Sequence, residues 1–176
     1  LGTAATDAWA GLPGYSLVGS YALPAAGGAV DVLPDGRLVT VQSDGVVMVQ
    51  SALNSGSYAP MGMIDGSVFE GPFGNFGASF VSVSPDGSRL AIGDNGAFNR
   101  VHFVEVGSLV PAVMTTTTFV NSPNYDGAWA DSSTMYVSGF GSSAGVWRVD
   151  VGALGATQVV ANAAGGSGGV AIRGGN

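Results

Sequence analysis

The sequence contains no cysteine and no lysine, and it has a single histidine. Without cysteine, neither a disulfide framework nor a zinc–thiolate site nor a cysteine nucleophile can form within this chain. Five arginines stand against twelve acidic residues, which gives a net charge of −7. This balance repels phosphate groups and anionic lipids, so we expect no binding to nucleic acid. It suits a cation, a neutral sugar or a basic partner.

Long apolar runs and helical periodicity are also missing. No apolar stretch approaches the roughly 18 residues of a membrane-spanning helix, so we expect no insertion into a membrane. The chain begins at Leu1 rather than Met, and we expect that it follows a removed leader or a cleavage point. With only 10% charged residues and many glycines, the composition favours a bacterial protein that is secreted or lies at the cell surface or in the periplasm.

Glycine and β-strand patterns are abundant instead. The 30 glycines are well above the usual share of about 7% and indicate many turns. Short alternating or β-branched segments, each bounded by turn-forming residues, predict strands. These segments are residues 15–23, 45–53, 100–106, 112–120, 134–140, 145–151 and 156–163. The sequence therefore predicts an all-β fold in one domain over residues 1–176.

One pattern occurs more than once along the chain. "LPDGRLVTV" (33–41) and "SPDGSRLAIG" (84–93) align at a spacing of 51 residues, and "ADSSTMYVSG" (130–139) is a third copy. In this alignment Val83 matches Ala128, which in turn matches Val170 of a truncated last copy. Each unit reads as four short antiparallel strands, and Asp-Gly in the first hairpin predicts a tight turn.

These repeats resemble the inner hairpins of YVTN-type and related WD-like β-propeller blades. The resemblance covers nearly the whole chain, although the WD dipeptide and the kelch pattern are missing. It implies a β-propeller segment of about three four-stranded antiparallel blades, near residues 29–64, 78–120 and 126–163, with edge strands at 15–23 and 168–173. Propellers include lectins, lactonases, phytases and scaffolds, so the resemblance leaves the function open.

Three blades do not close a ring, because closed propellers have roughly four to eight. An open arc would leave two apolar blade faces in water. We therefore expect a second polypeptide, such as the cleaved remainder of the same precursor, to complete the propeller and to pair with the edge strands. A homodimer and a compact four-bladed or sandwich fold are the alternatives.

The loops opposite the tight turns form the usual ligand face of propellers, as the resemblance implies. These loops are rich in carboxylate and amide oxygens, which suit a hard cation such as Ca²⁺. We predict cation ligands at Glu70, Asp94, Asn124 and Asp126, and ligand-binding residues at Asp65, Asn75, Asn99, Arg100 and Tyr125. Solvated turn residues are the alternative interpretation of this set. The neighbouring aromatic residues fit either a neutral sugar or a cap on the blade core.

The other titratable residues favour structural roles. Asp35, Asp86 and Asp131 lie in the tight turns, where an aspartate bonds to its own backbone. His102 has no cysteine and no G-x-S-x-G motif to work with, so hydrolysis by a Ser-His-Asp triad has no support. The leading hypothesis is an extracytoplasmic binding or scaffold module with no catalytic residues in this chain alone. The alternatives are part of a metal-dependent lactonase- or phytase-like hydrolase, and a structural component of an extracellular assembly.

Overall fold

The structure of the protein is a computed structural model. It describes residues 27–42, 45–53, 55–63, 78–94, 100–107, 111–114, 124–139, 144–161 and 168–172. The predicted edge strand 15–23 lies outside these ranges. So do four of the predicted site residues, namely Asp65, Glu70, Asn75 and Asn99.

Within the described ranges the strands form three antiparallel sheets of four, each ordered as along the chain. Sheet 1 contains β1 (Gly27–Val32), β2 (Leu38–Gln42), β3 (Val46–Gln50) and β4 (Tyr58–Met63). Sheet 2 contains β5 (Ala78–Val83), β6 (Arg89–Asp94), β7 (Arg100–Glu105) and β8 (Pro111–Met114). Sheet 3 contains β9 (Asn124–Asp131), β10 (Thr134–Gly139), β11 (Gly145–Asp150) and β12 (Gly155–Ala161).

The first hairpin of sheets 1 and 2 closes through the predicted Asp-Gly turn. Gly36 has a φ of 86° and Gly87 a φ of 72°, a left-handed conformation that side-chain-bearing residues rarely adopt. In the first turn the amide of Gly36 donates to the carbonyl of Leu33 at 2.8 Å, and in the second the amide of Gly87 donates to the carbonyl of Ser84 at 2.8 Å. The repeated sequence therefore gives the same turn twice.

Sheet 2 is buried on both faces because it lies between the other two sheets. Leu90 and Ile92 of β6 pack against sheet 1, whereas Ala91 between them packs against sheet 3. All three side chains are fully buried. This explains why β6 is almost continuously apolar, since successive side chains of a strand point to opposite faces and both faces here meet protein.

Two hydrophobic clusters fill the joints between neighbouring sheets. The joint between sheets 1 and 2 holds Leu33, Val39, Val41, Val47, Val49, Ala78, Val81, Leu90, Ile92 and Val104. The joint between sheets 2 and 3 holds Phe80, Ala91, Val101, Phe103, Trp129, Met135, Val137, Trp147, Val149 and Val151. The core is therefore divided between joints, with sheet 2 contributing to both.

The outer faces of sheets 1 and 3 have no neighbouring sheet among the described residues. On sheet 1, Val30 and Val32 of β1 remain 62% and 51% exposed. On sheet 3, the exposed residues of β11 and β12 include both polar and apolar side chains, among them Arg148, Thr157 and Val160. Of the two open faces, only that of sheet 1 presents a pair of exposed valines on an inner strand.

Residues 168–172 differ from the sequence prediction. The repeat alignment predicts an edge strand there, but in the structure these residues belong to none of the three sheets. They lie beside Asp126 of β9, whose carboxylate accepts a hydrogen bond from the amide of Val170 at 2.8 Å. A strand needs a ladder partner, and this segment is instead bound through a side chain.

No helix within the described ranges is long and apolar enough to cross a membrane.

Candidate functional site

The register of the strands determines which predicted site residues come together. Asp94 ends β6 and pairs directly with Arg100, which begins β7. Asn124 and Tyr125 begin β9, with Asn124 opposite Gly139. These residues lie at the sheet ends opposite the Asp-Gly turns, which is where the resemblance to propellers predicts a ligand face. Their roles in binding stay predictions.

Asp126 is the predicted cation ligand whose side chain the structure describes. Its Oδ1 accepts from the amide of Gly127 at 2.9 Å, and its Oδ2 accepts from the amide of Val170 at 2.8 Å. Both carboxylate oxygens therefore bind main-chain amides. Among the described residues, no group of three or more His, Asp or Glu side chains is placed to hold a metal ion.

Asp31 of β1 has the same kind of contacts, and sequence reasoning did not single it out. Its Oδ1 accepts from the amide of Val32 at 2.7 Å, and its Oδ2 accepts from the amide of Val83 in sheet 2 at 2.7 Å. The available signal was a carboxylate within the otherwise small and apolar segment "GGAVDV". Such a carboxylate needs hydrogen-bond donors, and here the donors are two backbone amides.

The joint between sheets 2 and 3 is linked by a different polar contact. The indole Nε1–H of Trp129 donates to the carbonyl of Ser82 at 3.1 Å. The ring of Trp129 also packs edge-to-face against Phe103, with centroids 5.9 Å apart and an interplanar angle of 69°. Trp129 is only 8% exposed, so it fills the joint and also satisfies a main-chain acceptor of the preceding sheet.

The turn aspartates have the structural role that the sequence predicts. Asp35 accepts from the amide of Arg37 at 3.0 Å and from its Nε at 2.8 Å. Asp131 accepts from the amide of Ser133 at 2.8 Å and from its hydroxyl at 2.6 Å. These bonds favour the ionised carboxylate. The Arg37 amide is the largest influence lowering the pKa of Asp35, and the Ser133 hydroxyl is the largest lowering that of Asp131.

Asp86 is the most strongly bonded of the three turn aspartates. Its Oδ1 accepts from the Ser84 hydroxyl at 2.6 Å, from the Ser88 amide at 3.1 Å and from the Ser88 hydroxyl at 2.9 Å. The Ser84 hydroxyl is the largest of several influences that hold the pKa of Asp86 far below its usual range. Neighbouring turns also touch, because a Cβ on Gly87 would come within 2.7 Å of the Pro34 ring. The first turns of sheets 1 and 2 are thus packed against each other.

His102 and two arginines also take structural positions. The His102 side chain is fully buried in β7, and it alternates with Val101 and Phe103, which face sheet 3. His102 therefore points towards sheet 1. Arg89 pairs with Glu105 across β6 and β7 at 2.8 Å. Arg37 pairs with Asp35 at 2.8 Å, and both pairs are surface contacts.

Comparison with known proteins bears on the fold. The chain matches no protein-family profile and no curated protein. It is similar to the WD40 repeats of RRP9, with a TM-score of 0.58 and 16% identity over 78% of this chain and 39% of that one. It is also similar to a TolB-like protein from Agrobacterium tumefaciens, with a TM-score of 0.54 and 18% identity over 78% of this chain and 47% of that one.

The described residues form three blades of a β-propeller. Each of the three sheets is one blade, with β1, β5 and β9 as inner strands, and the arc is open. A third similar structure is a Bacteroides thetaiotaomicron VPI-5482 protein of unknown function, with a TM-score of 0.53 and 11% identity over 76% of this chain and 31% of that one. The chain spans less than half the length of each of these structures. At such low identities the likeness establishes the fold alone.

Proposed function

We propose that this chain is a binding and scaffold module of a β-propeller that a second polypeptide completes. The observation that carries the proposal is the position of residues 168–172, which are bound to Asp126 of the last described blade. In the repeat alignment this segment matches the inner strand of a blade. A segment that matches an inner strand and is held beside the last described blade, without other strands of its own blade among the described residues, is a place for further strands to pair.

The open face of sheet 1 supports the same proposal from the other end of the arc. The inner strands of sheets 2 and 3 each pack against the preceding sheet. On the inner strand of sheet 1, by contrast, Val30 and Val32 are about half exposed. Fully burying a valine stabilises a protein by about 1.5–3 kcal/mol. A neighbouring blade on this face would therefore gain about 1 kcal/mol from each valine, because roughly half of each side chain is still in water.

The mass of the purified native species tests this proposal. The chain is isolated from its source under native conditions, and the complex is measured by multi-angle light scattering and by native mass spectrometry. We expect a species heavier than 17.4 kDa that contains a second, different polypeptide. A monomer, or a dimer of identical chains, would refute completion by a second polypeptide.

We also propose that the module has a ligand face that binds Ca²⁺. The support is that Asp94 and Arg100 lie opposite each other in the register of β6 and β7, and that Asn124 to Asp126 lie at the corresponding end of the next sheet. Carboxylate and amide oxygens are the ligands that Ca²⁺ prefers. EDTA is then expected to lower the melting temperature and Ca²⁺ to restore it.

A matched pair of variants makes the Ca²⁺ experiment specific. Asp94→Asn is expected to weaken the response of the melting temperature to Ca²⁺, because it removes a charge at the proposed face. Asp35→Asn removes a charge in a turn at the opposite end of its sheet and is expected to leave the response unchanged. This cation site would be excluded if the melting temperature of wild type were the same in EDTA and in Ca²⁺. It would also be excluded if the two variants changed the response to Ca²⁺ equally.

We also place the module outside the cytoplasm of a bacterium, on the basis of its composition. The chain has neither cysteine nor lysine and few charges of any kind. Fractionation of the source cells with an antibody against the chain is expected to recover it from the periplasm, the cell surface or the medium. Recovery from the cytoplasmic fraction alone would exclude this localisation.

A further inference from the structure

Two aspartates at different joints make the same pair of hydrogen bonds. In Asp31 and in Asp126, Oδ1 accepts from the amide of the next residue and Oδ2 accepts from an amide of the following repeat. The four donor–acceptor distances lie between 2.7 and 2.9 Å. Each carboxylate therefore links its own inner strand to the segment that comes next around the arc.

The amides that receive these carboxylates occupy the same position in the repeat. Val83 matches Ala128 in the alignment, and Ala128 matches Val170. Inner strands lie at the edge of their sheet, so β5 pairs only with β6. Alternate amides on the free edge of such a strand therefore need an acceptor from elsewhere. A carboxylate is a strong acceptor for them, because a hydrogen bond to an ionised group is stronger than one between neutral groups.

The joint between sheets 2 and 3 uses another contact. In the repeat alignment Asp126 lies one residue before the position of Asp31, and sheet 2 has Val81 at the first of these positions and Ser82 at the second. The carbonyl of Ser82 accepts from the indole of Trp129 in sheet 3. Each of the three joints is thus bridged by one polar side chain that reaches the main chain of the neighbouring unit. The carboxylate form occurs at the first joint and at the joint with residues 168–172.

We propose that Asp31 and Asp126 are inter-blade docking sites for an extended main-chain segment, and that Asp126 binds residues 168–172 as the inner strand of a fourth blade. This inference rests on the proposed function in taking residues 168–172 as part of a further blade. In addition, it assigns Asp126 as the residue that receives the new blade and the amide of Val170 as the group that it binds. The bonds themselves lie within this chain.

Gly169 provides a second test of the same site that leaves the carboxylate intact. A Cβ on Gly169 would lie 3.1 Å from Oδ2 of Asp126, whereas a Cβ on Gly168 would have no atom within 4 Å. Gly169→Ala therefore crowds the oxygen that binds the amide of Val170. Gly168→Ala makes the same chemical change one residue earlier in open space, so it is the matched control.

The experiment is residue-resolved amide hydrogen exchange of the ¹⁵N-labelled full chain, measured by NMR in EDTA so that no bound cation contributes. Losing a hydrogen bond to a charged acceptor is expected to speed exchange of its donor by about 10- to 100-fold. Asp126→Asn and Gly169→Ala should speed exchange at Val170 and leave Val83 unchanged. Asp31→Asn should do the reverse, while Gly168→Ala should change neither amide.

Asp150→Ala is a further control, because Asp150 accepts from the amide of Ala153 within a turn of sheet 3 at 2.9 Å. It should speed exchange at Ala153 without affecting Val83 or Val170. Wild-type exchange rates at Val83 and Val170 in the Asp31 and Asp126 variants, or equal acceleration of both amides in every variant, would overturn the proposal. A failure to find a second polypeptide by light scattering would leave these exchange rates as expected, so the two proposals fail separately.

Discussion

Gly127 of β9 leaves room for a phenyl ring at the joint between sheets 2 and 3. A Cβ on Gly127 would lie 2.7 Å from Cε2 and Cζ of Phe80 and 2.7 Å from Cε of Met135. The ring cannot simply move away, because its other edge faces Gly93, where an added Cβ would come within 2.5 Å of Cδ1. We therefore expect Gly127→Ala to force two buried side chains out of position.

The size of the effect follows from two opposing contributions. Overfilling a well-packed core costs about 1–3 kcal/mol, while replacing glycine by alanine restricts the unfolded chain and offsets about 0.4–1 kcal/mol. Gly127 does not adopt a left-handed φ, so backbone strain adds nothing. We expect a net loss of about 1–2 kcal/mol in the free energy of unfolding. For a chain of this length each kcal/mol lowers the melting temperature by about 2–4 °C.

Urea unfolding followed by circular dichroism measures this loss as a lower midpoint at an unchanged slope. Gly107→Ala is the control, because a Cβ there would have no atom within 4 Å, and its effect should stay within about 0.5 kcal/mol. Combining Gly127→Ala with Phe80→Leu should recover stability relative to the sum of the single variants by about 1 kcal/mol. If Gly127→Ala is as stable as Gly107→Ala, or if it is additive with Phe80→Leu, the packing argument is refuted.

Two other predictions concern polar contacts. Trp129→Phe leaves the carbonyl of Ser82 without its indole donor and is expected to cost about 1–3 kcal/mol in urea unfolding; an unchanged midpoint would show that this bond adds no stability. For Asp86, hydrogen bonds led by that of the Ser84 hydroxyl hold the pKa below 3.8. The stabilisation is therefore present above the unfolded-state pKa and is lost as the pH falls through the folded-state pKa. Asp86→Asn should lower the melting temperature at pH 6 and approach wild type as the solution is made strongly acidic. A difference that grows on acidification would contradict this assignment.

The turns were predictable because their chemistry is local. In "PDG" the aspartate bonds to groups two residues away, and the glycine supplies the left-handed φ that closes the hairpin. Nothing outside the turn is needed to recognise it. The same holds for the third turn, where Asp131 bonds to Ser133. The three aligned turns therefore predicted three hairpins, and the structure confirms them.

The strands and their grouping into blades were predictable from their alternation and from the repeat. β6 and β7 read as nearly continuous apolar runs, which indicates burial on both faces, and sheet 2 is indeed enclosed by the other two. Of the predicted strand 112–120, the part that the structure describes belongs to β8, Pro111–Met114. Residues 168–172 lie outside the sheets, because a strand needs a ladder partner and none of the described strands pairs with them.

The turns, the four-strand repeat and the propeller fold could be predicted from the sequence alone, because each depends on residues close together in the chain. The contacts that join the blades depend instead on long-range packing, which the sequence does not show. Asp31 reaches an amide 52 residues away and Asp126 an amide 44 residues away, and nothing in the local pattern indicates which amide either would bind. The sequence marked Asp126 as a cation ligand from its loop composition. The structure gives both of its oxygens amide donors, because Gly127 follows it directly and the fold brings the main chain of residues 168–172 beside that carboxylate.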